Sequence, residues 1–180
     1  TGTFTVSTST VSNLGSCGVA SLSTVGSLNW TGSNSSFSNT TQCAVCEQPS
    51  GTASQNLTVT GSSITNRDGI ASFSNTIGTA IGLNVNNCTI SGGGLATRGL
   101  DITAQGTSAF TGILTNNNIT GCVGEGILLV TAGNSTSRVK VDSNRLLGNG
   151  LNSGFNFVAG SNVSTCAVIN NNTSDSFVLN

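Results

Sequence analysis

The chain has 180 residues, of which only 6% are charged, with a net charge of −1 and no histidine. Such a surface lacks the cationic face that nucleic acid or an anionic membrane would require, so both partners are excluded as expectations. The longest apolar run, Ile127 to Val130, is far too short for membrane insertion.

Residues 1–55 are predicted as an N-terminal strand and cap segment of a single domain, and residues 56–180 as its repeated coils. Thr3 to Val11 alternates like a strand but has no visible partner coil, and the stretch from 33 to 54 is loop-like and holds the single proline, Pro49. The terminal unit of a solenoid is atypical because it must cover the first coil. Trp30 and Phe37 are expected to do so.

From Leu57 onward one unit recurs. Its apolar anchor Ile64 returns as Ile90, Ile119 and Leu146, with Thr173 in the last copy. Five residues before each anchor stands a second apolar column, Val59, Val85, Leu114, Val141 and Val168. A later landmark reads Gly69-Ile70, Gly99-Leu100, Gly126-Ile127, Gly154-Phe155 and Ser176-Phe177. Self-similarity near a 27-residue period marks units that bury their apolar faces only by stacking. Within a unit, Leu57-Thr-Val59, Val139-Lys-Val141 and Phe155-Asn-Phe157 alternate with the period of half-buried strands. Asn, Gly and Ser clusters between them supply turns, and Gly92, Gly121 and Gly148 each fall two residues after the anchor, where a tight bend would need them. The expected fold is therefore all-β, a right-handed parallel β-helix of about 27 residues per coil with an irregular N-terminal cap.

This pattern resembles the pectate-lyase-like β-helix superfamily, and in texture it is similar to bacterial surface β-helices such as autotransporter passengers. The resemblance covers about two-thirds of the chain. It implies Asn ladders bonded from coil to coil. Asn116, Ser143 and Asn170 would form one column, and Asn117, Asn144 and Asn171 the next. Hydrolases of the superfamily carry Asn-Thr-Asp, paired Asp, Gly-His-Gly and Arg-Ile-Lys signatures. Only Arg138-Val-Lys140 echoes the last of these.

Six cysteines, Cys17, Cys43, Cys46, Cys88, Cys122 and Cys166, form an even set that suggests disulfides in an oxidising, extracellular or cell-surface setting. Cys43-Ala-Val-Cys46 has a CxxC spacing. Without a second pair or any histidine, a structural disulfide is preferred to zinc, and no metal or cofactor is predicted. The pairing of the remaining cysteines stays open. Glycosylation sequons fall at Asn29, Asn34, Asn39, Asn56, Asn87, Asn118, Asn134, Asn162, Asn171 and Asn172.

The residue before each landmark glycine gives Asp68, Arg98 and Glu125, a stacked column of alternating sign. Two carboxylates around an arginine could suggest acid/base chemistry. A register-fixing ion-pair column is preferred, because the arginine would keep both carboxylates ionised. Ser and Cys have no histidine to activate them, so no catalytic residue is named.

The chain opens on Thr1, as a mature or excised piece would, and stops within a coil at Phe177 to Asn180. Phe4 and Val6 at one end, and Phe177 and Leu179 at the other, are candidates for head-to-tail self-association. The expected function is a non-enzymatic extracellular structural protein, a filament or surface-fibre subunit whose partner is itself. Two alternatives are an adhesin that binds surface glycans and a polysaccharide lyase or hydrolase.

Overall fold

A computed structural model of the chain describes residues 1–38, 42–65, 68–74, 79–92, 98–150 and 154–180. These residues form strands and no helix. Long strands β1 (Gly2–Ser7), β4 (Ser27–Ser33), β7 (Ser54–Thr60), β10 (Ala80–Asn86), β13 (Ala109–Thr115), β16 (Thr136–Asp142) and β19 (Ser164–Asn170) pair in that order as one sheet. Short strands β2 (Thr10–Ser12), β5 (Ser36–Ser38), β8 (Ser63–Thr65), β11 (Thr89–Ser91), β14 (Asn118–Thr120), β17 (Arg145–Leu147) and β20 (Thr173–Ser174) form the second. The third holds β3 (Val19–Ser23), β6 (Cys43–Pro49), β9 (Asp68–Ser74), β12 (Leu100–Ala104), β15 (Ile127–Thr131), β18 (Phe155–Ala159) and β21 (Phe177–Leu179). Each coil contributes one strand to each sheet and every pairing is parallel, so the chain is a parallel β-solenoid.

Alternation decides which side chains enter the core. In the first sheet Trp30, Leu57, Leu83, Gly112 and Val139 occupy one inward column, each paired with the next. Phe37, Ile64, Ile90, Ile119 and Leu146 line the second sheet, and Val45, Ile70, Leu100, Ile127 and Phe155 the third. These residues join in one continuous core. Each large apolar side chain so buried contributes about 1.5–3 kcal/mol.

The expected irregular cap is corrected in part. Strands β1 to β6 lie in register with the later coils, Phe4 opposite Trp30 and Trp30 opposite Leu57. The repeat is disguised there because aromatics stand beside glycine. A side chain at Gly32 would collide with the Trp30 ring, just as one at Gly112 would meet Phe110 at 2.9 Å. In both coils the ring occupies the space that a branched residue fills elsewhere. The last copy is also shifted by one residue from its expected alignment. Ile169 continues the Val141 column and Ser174 faces Leu146, while Val168 points out and Thr173 pairs with Arg145. The coil between β16 and β19 is one residue longer than the one before it, and an extra residue reverses every face beyond it.

The corner between the first two sheets is the same in all seven coils. Thr8, Asn34, Gly61, Asn87, Asn116, Ser143 and Asn171 all adopt left-handed φ values between 48° and 57°. Asn and Gly are the residues that tolerate this region at least cost.

Candidate functional site

From the second coil onward the residue after the left-handed corner turns inward and builds a ladder. Asn117 N–H donates to Asn144 Oδ1 at 3.0 Å, and Asn144 N–H to Asn172 Oδ1 at 2.9 Å. Cys88 N–H donates to Asn117 Oδ1 at 3.0 Å, and nearer the N-terminus serines take over, with Ser35 N–H bonding Ser62 Oγ at 3.2 Å. Of the expected Asn stack, the structure thus brings Asn117 and Asn144 together. Asn172, not Asn171, extends their column. Asn116 and Asn171 belong to the left-handed corners, and Asn170 pairs with Asp142. The longer penultimate coil is again the reason. Burial pushes the Cys88 thiol pKa up, partly offset by backbone hydrogen bonds at Ser62 and Asn86.

One column at the entry to the third sheet gathers most of the chemistry. Cys43 pairs with Asp68, and the same register places Arg98 and Glu125 in succession beyond it. Cys17 stands one coil before Cys43. The Asp68 side chain lies outside the described residues. Arg98 Nε donates to Glu125 Oε2 at 2.9 Å, and Arg98 Nη1 to Asp101 Oδ2 at 2.8 Å. Asn156 Nδ2 donates to Glu125 Oε1 at 3.3 Å from the next coil. Asp101 and Asn156 were not foreseen as partners. Their signal was the outward position in Leu100-Asp-Ile102 and Phe155-Asn-Phe157, on the face that carries Arg98. Burial of Glu125 would raise its pKa, but its own backbone N–H, Arg98 and Asn156 outweigh this and hold it below the usual carboxylate value. Burial likewise opposes the Arg98 charge, yet Glu125 and Asp101 hold its pKa above the ordinary value. A general acid needs a raised pKa, and Glu125 is tuned the other way.

At the far end of this column three sulfurs converge. Cys43 and Cys46 are joined as a disulfide, and Cys17 Sγ lies 3.7 Å from Cys43 Sγ. Cys88 and Cys122 are buried thiols and Cys166 is an exposed one, so of the six cysteines these residues show one pair.

Arg138 and Lys140 point outward from β16, and Lys140 pairs with Asp142 at 3.2 Å. They flank a depression of about 480 Å³ that Ile113, Cys166 and Val168 also line. Among the sequons, Asn34, Asn56, Asn87, Asn134, Asn162 and Asn171 are exposed and Asn29, Asn118 and Asn172 half-buried, while Asn39 lies outside the described residues. Asn172 belongs to the ladder, and its Nδ2 donates to Val141 O at 2.8 Å, so a glycan there would break it. Of the assembly candidates, Phe4, Phe177 and Leu179 are 51%, 43% and 64% exposed, and Val6 is half-buried. No protein-family model, no curated protein and no solved structure matches the chain.

Proposed function

We propose that the protein is a non-enzymatic, extracellular structural solenoid that associates end to end as a filament or surface-fibre subunit. In this reading it is a relative of the pectate-lyase-like β-helices, nearest to the bacterial surface type. The observation that carries the proposal is that three inward columns reach both edge strands apolar, from Phe4 to Ala167, from Val6 to Ile169 and from Val19 to Phe177, with Phe4 and Phe177 exposed there, while the second-sheet column closes on Ser174. Phe4 belongs to the Trp30 and Leu57 column, and Phe177 packs on Phe155 with ring centroids 5.7 Å apart. A second copy placed with its β1 on β19 would continue these three columns. Phe4 would meet Ala167, Val6 would meet Ile169, and Val19 would meet Phe177, in the spacing already used within the chain. Unpaired backbone groups on both edges would gain partners in the same step. The one disulfide supports the oxidising setting.

Electron microscopy and light scattering of residues 1–180 test this directly. Filaments with an axial repeat of about 34 Å are expected, from seven strands per sheet at ~4.8 Å each. Phe4→Lys should abolish them. A wild-type chain that stays monomeric at high concentration overturns the proposal.

A second reading, binding of an anionic surface glycan, is favoured by the depression beside Arg138 and Lys140. Saturable binding of an acidic oligosaccharide that Arg138→Ala abolishes would support it.

A further inference from the structure

We propose that Cys17, Cys43 and Cys46 form a three-thiolate site for a soft d10 cation, copper(I) in preference to zinc(II), available only when the Cys43–Cys46 disulfide is reduced. The three sulfurs lie within 4.8 Å of one another. Around one ion at a metal–sulfur distance of ~2.3 Å, three thiolates stand about 3.8–4.0 Å apart. Cys17 Sγ already meets Cys43 Sγ at 3.7 Å, and the Cys43 to Cys46 separation must open. The solenoid supplies this geometry. Cys17 and Cys43 stand one coil apart in the same column, and Cys46 follows three residues later in the same strand.

Two other roles fit the cluster less well. A disulfide closing so short a loop restricts the unfolded chain least, and that role gives Cys17 nothing to do. Thiol–disulfide exchange needs the attacking sulfur in line with the bond. In-line attack by Cys17 on Cys43 would put Cys17 and Cys46 about 5.7 Å apart, given an S–S bond of ~2.0 Å. They lie within 4.8 Å, in a triangle rather than a line.

The donor set selects the ion. Three soft thiolates without imidazole suit copper(I), whereas structural zinc takes four protein ligands and the chain has no histidine. Cys43 and Cys46 are each only 8% exposed, so the ion would enter from the side of the half-buried Cys17. Cys17 is held there by a 3.3 Å contact from its Sγ to Gln42 Oε1. Opening the site takes two electrons and two protons from an external dithiol, which leaves as a disulfide. Binding then releases the three thiol protons to solvent.

The test is an anaerobic copper(I) titration of the reduced full chain. It is followed by sulfur-to-copper charge-transfer absorption and by native mass spectrometry. One ion per chain is expected, with no binding to the oxidised chain. Cys17→Ser should weaken binding on the order of 100-fold, the upper end of the ~10–100-fold cost of losing even a supporting partner of a metal site, while Cys166→Ser leaves it unchanged. Should Cys17→Ser fold poorly, alkylation of the wild type gives a second readout, in which the ion shields Cys17, Cys43 and Cys46 but not Cys166. Binding unaltered by Cys17→Ser, or a shielding pattern that omits Cys17, overturns the three-sulfur site.

Discussion

Asn144 Oδ1 accepts two hydrogen bonds from Asn117 in the preceding coil, one from the backbone N–H at 3.0 Å and one from Nδ2 at 2.9 Å. The Asn144 Nδ2 in turn donates to Leu114 O at 2.8 Å, so a single buried amide ties two coils together. Asn144→Ala strands the Asn117 N–H and removes one of the donors to the Leu114 carbonyl, and at about 1–3 kcal/mol for a buried unpaired group the variant should lose about 2 kcal/mol. Asn144→Ser, the residue type that holds this column at Ser35 and Ser62, should recover part of the loss. Urea unfolding measures both. An unchanged midpoint for Asn144→Ala would mean that backbone pairing alone holds the coils.

The aromatic and glycine pairs predict a compensated substitution. Gly32→Val places its side chain in the Trp30 ring and should destabilise by about 1–3 kcal/mol through overpacking. Combined with Trp30→Leu it reproduces the Leu57 and Val59 pair of the next coil, so the double variant should be more stable than Gly32→Val alone. A double-mutant cycle from thermal unfolding checks this, and additive effects would contradict it.

Acid sensitivity should trace to the carboxylates held ionised. Glu125 lies below its ordinary value for the reasons above, and Asp142 does so chiefly through Lys140. A carboxylate whose pKa is lower folded than unfolded gives stability that is complete above the unfolded value and lost as pH falls through the folded one. Stability should therefore begin to fall as pH drops past the ordinary Glu value of 4.5. Glu125→Gln should flatten the upper part of that decline. Denaturant midpoints between neutral and acid pH would show whether the two curves differ.

Thiol reactivity should follow exposure and pKa. Cys166 is exposed and should be alkylated first, while Cys88 is buried with a raised pKa and should react only on unfolding. Mass spectrometry of a timed alkylation reads the order. Early modification of Cys88 would show that the ladder opens in the native state.

Much of the solenoid is legible in the residues themselves. Alternation such as Leu83-Asn-Val85 sets which side chains face inward, and Asn or Gly before an inward polar residue marks the left-handed corner, because both rules act over a few residues. The landmark residues Ile70, Leu100, Ile127, Phe155 and Phe177 are paired in the order the sequence predicts, although their spacing varies from 22 to 30 residues. Coil-to-coil register is different, since it depends on loop lengths that vary while the strands stay fixed. Spacings along the column from Phe4 through Trp30, Leu57, Leu83, Gly112 and Val139 to Ala167 range from 26 to 29 residues. One such residue moved Asn172 into the ladder in place of Asn171, and Trp30 with Gly32 concealed two further coils. Only the stacked structure could decide that Cys17 meets Cys43 and that Arg98 binds Asp101 as well as Glu125. Those contacts join residues far apart in sequence or on one outer face, where no local rule acts and side-chain reach across a fixed register makes the choice.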